Sequence, residues 1–155
     1  MTKRRLLHRD RLREKQWEHL ILELLPYLQH TSIILLEGNL GAGKTTFTNW
    51  FAKVLGYHDT EASSPTFALA HSYPIAHKDF KQSTLFHLDL YRLESTQEAL
   101  DMGIEEYLED PGSFVVIEWP QIITPLIHDA ILIEINYGEK EGERIVDIWE
   151  LHSKK

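Results

Sequence analysis

Gly38-Asn39-Leu40-Gly41-Ala42-Gly43-Lys44-Thr45 is an unbroken match to the phosphate-binding pattern G-x-x-x-x-G-K-[ST]. Each fixed position has a task. Gly38 lets the chain turn sharply, while Gly41 and Gly43 let bare backbone N–H groups approach a polyphosphate. Lys44 reaches the β- and γ-phosphates, and the Thr45 hydroxyl is a Mg²⁺ ligand. The flanks agree with the motif. Ser32-Ile33-Ile34-Leu35-Leu36-Glu37 reads as a short buried parallel strand. Phe47, Trp50, Phe51, Val54 and Leu55 fall at helical spacing, and Gly56 follows as a C-cap. The helix thus aims its N-terminal dipole and free N–H groups at the loop. A chance match in a chain this short is on the order of one in a few hundred at ordinary glycine usage. The motif therefore implies a nucleoside triphosphate site.

Composition limits what surrounds it. At 155 residues the chain is expected to form one domain, residues 1–155, that buries roughly 70% of its unfolded surface. The absence of cysteine excludes disulfides and thiolate metal sites and suits a reducing compartment. No apolar run approaches the ~18 residues of a membrane-spanning helix. Met1-Thr2-Lys3-Arg4-Arg5 is basic, but no apolar signal-peptide segment follows it. A cytoplasmic protein, monomeric on its own, is the expectation.

Charge is uneven along the chain. Residues 1–15 carry seven basic groups (Lys3, Arg4, Arg5, Arg9, Arg11, Arg13 and Lys15) against Asp10 and Glu14, a net +5 within a chain of net −8. The remaining body is acidic enough to repel a nucleic-acid backbone. The basic segment reads either as the solvated start of the first helix or as a contact for RNA or a protein partner.

The rest alternates between helix and strand. Trp17, Leu20, Ile21, Leu24, Leu25 and Leu28 keep an amphipathic helical rhythm that ends near Pro26–His30. Beyond the loop helix, residues 57–66 look irregular, and Phe67 to Tyr73 read as one strand with Phe67, Leu69, His71 and Tyr73 on one face. Residues 74–82 suggest a loop and 84–88 a strand. Ser95-Thr96-Gln97-Glu98 is a capping box opening a helix to about Met102, and a second helical piece covers 104–108. Phe114-Val115-Val116-Ile117 reads as a buried strand. Ile131, Ile133 and Ile135 alternate, Gly138 to Gly142 supply a turn, and 145–149 return as a strand. The expected fold is α/β: a P-loop NTPase with a mostly parallel central sheet, flanking helices and a C-terminal antiparallel hairpin at one edge.

A phosphate loop needs an acidic partner for its metal. Glu118 ends the apolar run 114–117 in the manner of a Walker B carboxylate, and Asp89 ends the weaker run 85–88. The stronger strand favours Glu118 for Mg²⁺ or water positioning, leaving Asp89 for the attacking water, an outer shell or a switch. Ligands bind at the carboxyl ends of parallel strands, where both stand. His87 shares the face of Asp89 by period-two alternation. His71, His77 and His128 show no metal-ligand spacing. A small-molecule or nucleotide kinase is the alternative, yet after the loop the chain has only Arg92 and Arg144, no Arg-rich lid. A guanine-reading Asn-Lys-x-Asp sequence is absent, which argues against a GTP switch.

Four blocks in order make a more specific pattern: Gly38 to Phe47 (GNLGAGKTTF), Ser64-Pro65-Thr66-Phe67, His87 to Leu93 (HLDLYRL) and Ile117-Glu118-Trp119-Pro120. Together they closely resemble the bacterial TsaE family over about residues 30–120, and Gly103 to Leu108 is similar too. The resemblance implies an ATPase needed to make N6-threonylcarbamoyladenosine in tRNA. It implies action with the TsaB–TsaD pair, which performs the transfer, and contact with tRNA only through that complex. ATP and Mg²⁺ would be the cofactors. The nucleotide would lie on Asn39, Leu40, Gly41, Ala42, Gly43, Lys44, Thr45, Thr46 and Trp119, the metal on Thr45 and Glu118. Lys44, Thr66, Asp89 and Glu118 would form the catalytic set. Thr66 suits a switch-like loop near the γ-phosphate, or it simply starts the next strand. Trp119 stacks on a nucleobase or a partner, or packs against the loop helix. Arg92 pairs with Asp89 or stabilises phosphate charge. The family usually has Asp where this chain has Asn39, and a charged residue where Gln121 stands; Lys44, Thr45 and Glu118 are unaffected.

Overall fold

The computed structural model describes residues 1–39, 41–58 and 70–153 in full and the backbone alone of 64–67. One eight-stranded sheet organises them. In chain order its strands are β1 (Thr2–Leu12), β2 (Ile33–Gly38), β3 (Ser64–Phe67), β4 (Ala70–Pro74), β5 (Thr84–Asp89), β6 (Ser113–Glu118), β7 (Asp129–Tyr137) and β8 (Arg144–His152). Across the sheet they run β1-β8-β7-β2-β6-β5-β4-β3. The four helices are α1 (Trp17–Leu24), α2 (Lys44–Val54), α3 (Thr96–Asp101) and α4 (Ile104–Leu108). Short 3₁₀ segments extend α1 through Leu25–Leu28 and follow β6 over Pro120–Leu126.

The sheet is mixed, which corrects the expectation of a mostly parallel one. Only the centre, β7-β2-β6-β5, is parallel; both flanks are antiparallel. The C-terminal hairpin is also more than an edge addition. Its first strand pairs in parallel with β2, Ile34 opposite Ile131 through Gly38 opposite Ile135. Phe67 to Tyr73 is not one strand either: β3 and β4 pair antiparallel as a hairpin, Ser64 opposite Ser72. The side chains of Phe67 and Leu69 lie outside the described residues.

The N-terminal segment is the largest departure. Instead of starting a helix it forms β1, antiparallel to β8. Its basic side chains find acids far along the chain. Arg4 meets Glu150, Arg5 and His8 meet Asp147, Lys3 meets Glu134, Arg9 meets Glu23 and Arg13 meets Glu143. Lys3 and Arg5 also lie over the Trp149 ring. Cross-strand opposite charges stabilise a sheet edge only modestly, but they fix which strand pairs with which. The Arg4 guanidinium, hydrogen-bonded to Glu150, holds that carboxyl below its usual range.

Helices cover both faces. On one, Trp17, Leu20, Ile21 and Leu24 of α1 and Phe47 and Phe51 of α2 pack on Ile34, Leu36, Val116 and Ile133. On the other, Ala99 of α3, Ile104 and Tyr107 of α4 and Ile123 cover Leu35, Val115, Ile117 and Leu88. Period-two alternation of β2 and β6 divides their side chains between these two cores. α3 opens as its sequence requires, the Ser95 hydroxyl accepting from the Glu98 N–H at 3.1 Å. No helix among the described residues is long and apolar enough to cross a membrane.

An aromatic chain ties the loop helix to the sheet. Trp17 meets Phe47 edge-on at 5.8 Å, Phe47 stacks on Phe51 at 5.5 Å, and Phe51 meets Phe114 of β6 edge-on at 5.9 Å. Such pairs add about 0.5–1.5 kcal/mol each beyond their buried area. Phe51 is fully buried at the middle of the chain. Phe51→Ala is therefore expected to cost about 3–5 kcal/mol of stability. Urea unfolding checks this; a loss below about 1 kcal/mol would mean that α2 is held by something other than this aromatic contact.

Candidate functional site

β2 delivers the chain to the loop, and its last residue explains one glycine. A Cβ on Gly38 would stand 2.5 Å from the Ile135 carbonyl oxygen of β7. Close approach of two strands, rather than a sharp turn, demands glycine here. Gly41 and Gly43 have φ of +78° and +116°, in the left-handed region that favours glycine. Gly43 is the N-cap of α2 and no side chain caps the helix. The N–H groups of the first turn therefore remain available to an anion, with the helix dipole behind them.

The predicted residues occupy distinct positions around this nest. Asn39 and Thr45 are exposed, Thr46 is half-buried and Ala42 is buried. Leu40 and the side chain of Thr66 lie outside the described residues. Lys44 is only 5% exposed. Its Nζ donates to the Gly38 carbonyl at 2.9 Å and rests 3.8 Å from the centre of the Trp119 ring. Trp119 packs beneath the loop lysine and against Tyr91, ring centres 5.1 Å apart. It is half-buried and the one non-glycine residue with positive φ among the described residues, at 58°. A left-handed backbone costs a non-glycine residue about 1–2 kcal/mol, and here it turns the chain straight after Glu118.

The two carboxylates stand side by side at the ends of parallel strands, Asp89 opposite Glu118. The Leu90 N–H donates to the Glu118 carbonyl at 3.1 Å and locks the two ends together. Their environments differ sharply. Glu118 is 6% exposed, and its Oε2 is hydrogen-bonded to His87 Nε2. Asp89 is exposed and accepts from the Tyr91 N–H at 3.0 Å, a local turn bond. Arg92 is exposed and makes no ion pair with Asp89. Period-two alternation puts His87 on the correct face, but its role in holding Glu118 depends on strand register, which the sequence does not display.

Two further residues escape sequence reading. Arg144, the first residue of β8, donates through Nε to the Ala42 carbonyl at 2.7 Å and through Nη2 to that of Gly41 at 3.4 Å. Tyr137, the last residue of β7, lies under the guanidinium, 4.8 Å from ring centre to Cζ. The end of the C-terminal hairpin therefore braces the loop from behind.

The donor set fits a metal carried in by a nucleotide. No group of three or more His, Asp or Glu among the described residues is placed to share an ion. Mg²⁺ needs no such cage, because phosphate oxygens and waters fill most of its octahedral shell and one or two protein oxygens suffice. Thr45 at the first turn of α2 and Glu118 on the neighbouring strand supply that kind of set. A cleft of about 410 Å³ at the other end of the sheet, lined by His30, Ser32, Glu109, His128 and Asp129 among others, includes none of these residues.

Comparison with known proteins gives one answer. Residues 12–146 match the family model for the threonylcarbamoyl adenosine biosynthesis protein TsaE. A tRNA threonylcarbamoyladenosine biosynthesis protein TsaE from Rickettsia conorii is 38% identical over 123 residues, 79% of this chain and 66% of the relative. That chain is thus spanned for slightly under two thirds of its length. The proteins of the same name from Haemophilus influenzae and a Nostoc species are 35% and 40% identical, covering 79% and 76% of this chain and 73% and 69% of theirs. Among solved structures, YdiB of Bacillus subtilis superposes with a TM-score of 0.63 at 24% identity, covering 96% of this chain and 87% of that one; this likeness concerns the fold. With the loop, the strand-end carboxylates and these relatives in agreement, the chain belongs to the TsaE family of tRNA threonylcarbamoyladenosine biosynthesis proteins.

Proposed function

We propose that this protein is a Mg²⁺-dependent ATPase of the P-loop class that drives or resets the TsaB–TsaD threonylcarbamoyl transferase, working in the cytoplasm. The observation that carries the reading is the uncapped N-terminus of α2, with two left-handed glycines before it and Lys44 and Glu118 beside it. Phosphoryl transfer needs positioning and charge stabilisation more than covalent chemistry from the protein. The loop amides would hold the β- and γ-phosphates. Lys44 would leave the Gly38 carbonyl and Trp119 ring to meet them. Thr45 and Glu118 would hold Mg²⁺, which when bound neutralises the phosphate oxygens. His87 keeps the Glu118 carboxylate oriented. Asp89, exposed beside Glu118, would orient the attacking water.

The kinase alternative gains no support from the two arginines that follow the loop. Arg144 is spent on loop carbonyls, and Arg92 is exposed and forms no ion pair among the described residues. The acidic body, whose basic strand is largely paired with its own carboxylates, is poorly suited to hold tRNA unaided. Contact with tRNA would run through the transferase complex. Phosphate release from ATP with and without TsaB–TsaD tests the reading; a phosphorylated small product instead of free phosphate would favour a kinase.

Lys44→Ala should lower ATP hydrolysis on the order of 10²–10³-fold in the presence of the partners. The buried ammonium also serves the Gly38 carbonyl, so a stability loss of about 1–2 kcal/mol is expected beside it. Normal turnover in this variant would remove the site assignment.

The two carboxylates should separate in their effects. Glu118→Gln keeps the shape and loses the charge facing the metal, so MgATP affinity should fall. Asp89→Asn should keep affinity and lose turnover. Calorimetric titration of each variant decides; lost MgATP binding in the Asp89 variant alone would exchange the two roles.

Isolated protein should hydrolyse ATP slowly, with TsaB–TsaD raising the rate by completing the site around Thr66, as partners do in other P-loop NTPases. Thr66→Ala should lose most of this stimulation and keep much of its nucleotide affinity. Equal turnover with and without partners would remove the coupling.

A further inference from the structure

Arg144 makes contacts that the reaction as described does not use. The chain has two arginines after the phosphate loop, and this one points at the loop's outer side. Nε donates to Ala42 O at 2.7 Å, Nη2 to Gly41 O at 3.4 Å, and Nη1 to Glu143 O at 3.0 Å. The guanidinium plane is supported by the Tyr137 ring. Glu143, 7% exposed, is in turn paired with Arg13 at the end of the N-terminal strand. The arginine is half-buried and held on several sides, unlike a surface cation.

We propose that Arg144 is a positioning residue for nucleotide binding, setting the orientation of the peptide planes that present the loop's amides to the phosphates. The reasoning is geometric. A peptide unit is planar and, with no cis bond among the described residues, its C=O and N–H point in opposite directions. Fixing the Ala42 carbonyl on Arg144 turns the Gly43 N–H to the opposite side, toward the phosphate nest. Gly43 carries φ of +116°, a conformation available to glycine yet not forced by it, since glycine populates negative φ as readily. Something else must select it. The Ala42 N–H is already spent on the Asn39 carbonyl at 3.0 Å, which closes the loop from within. Arg144 supplies the constraint from outside. A forked guanidinium spans two successive carbonyls where a lysine ammonium, a point donor, serves one. The cost of ordering a glycine-rich loop is thereby met in the folded protein and does not fall on the ligand.

The inference rests on the loop being the phosphate site, and one series of titrations tests the two separately. ADP is titrated calorimetrically into wild type, Arg144→Leu, Arg144→Lys and Tyr137→Leu, and each variant's thermal midpoint without nucleotide is recorded. Loss of a charge-assisted hydrogen bond to the loop should weaken ADP about 10- to 100-fold in Arg144→Leu. Arg144→Lys should lie between it and wild type, and Tyr137→Leu should weaken binding by less. Because the amides grip phosphate in the ground and transition states alike, KM for ATP should rise while kcat with TsaB–TsaD changes little. A brace that serves only folding would lower the thermal midpoint and leave the Kd of the folded fraction unchanged, and that result overturns the proposal. If Arg144→Leu does not fold, the Lys variant decides: wild-type ADP affinity in it overturns the forked role. Wild type that binds neither ADP nor ATP would overturn the phosphate-site reading itself, and this inference with it.

Discussion

A hydrogen atom is all that fits on the α-carbon of Gly38, because the Ile135 carbonyl of β7 passes 2.5 Å from where a Cβ would stand. That close seam between β2 and β7 determines much around it. It keeps the two parallel strands in a single register, Gly38 opposite Ile135, and register sets which side chains face α2. Through the β2–β6 pairing it puts Leu36 opposite Glu118, so the carboxylate emerges one strand away from the loop. Lys44 then finds the Gly38 carbonyl within reach. A methyl group at position 38 would force the strands apart where strand end, loop and helix N-terminus converge.

The site itself is an arrangement of backbone more than of side chains. Two left-handed glycines, an uncapped helix start and a strand end create the anion nest. The side chains adjust it: Lys44 and Trp119 on the inner side, Arg144 and Tyr137 on the outer, His87 holding Glu118. Trp119 accepts a left-handed backbone between a fully buried strand and a 3₁₀ segment, a local cost that persists because its ring has two partners. The body of negative charge and the basic edge strand answer each other within one molecule. Arg4, Arg5, Arg9 and Arg13 all meet carboxylates of later or neighbouring elements, so the basic segment is neutralised locally while the molecule keeps its net −8.

What the sequence displays depends on how local its cause is. The loop, β2 and α2 were legible because glycine, lysine and apolar spacing act within a few residues of one another. The α3 start was legible for the same reason, since Ser95 caps Glu98 three residues on. β6 was legible as a run of branched and aromatic residues with no polar break. β1 was not, because nothing within Thr2–Leu12 favours a strand until β8 supplies Asp147 and Glu150 opposite it. The β3–β4 hairpin was hidden because both strands are short and their apolar residues continue one pattern. Of the site, the carboxylates and the loop could be read directly. The His87–Glu118 pair and the Arg144 brace could not, as both depend on which strands lie next to each other.

The brace also makes the loop depend on residues remote from it in the chain. Arg144 and the Ala42 carbonyl it holds are 102 residues apart in sequence, and Ile135, which shapes Gly38, is almost as distant. The motif is local in sequence, yet the residues that shape it, Ile135 and Arg144, belong to β7 and β8. A fragment that lacked β7 and β8 would carry the motif without either of these supports. Contacts of such sequence separation cost loop-closure entropy before they return any stabilisation, so the motif acquires its geometry together with the sheet and not ahead of it.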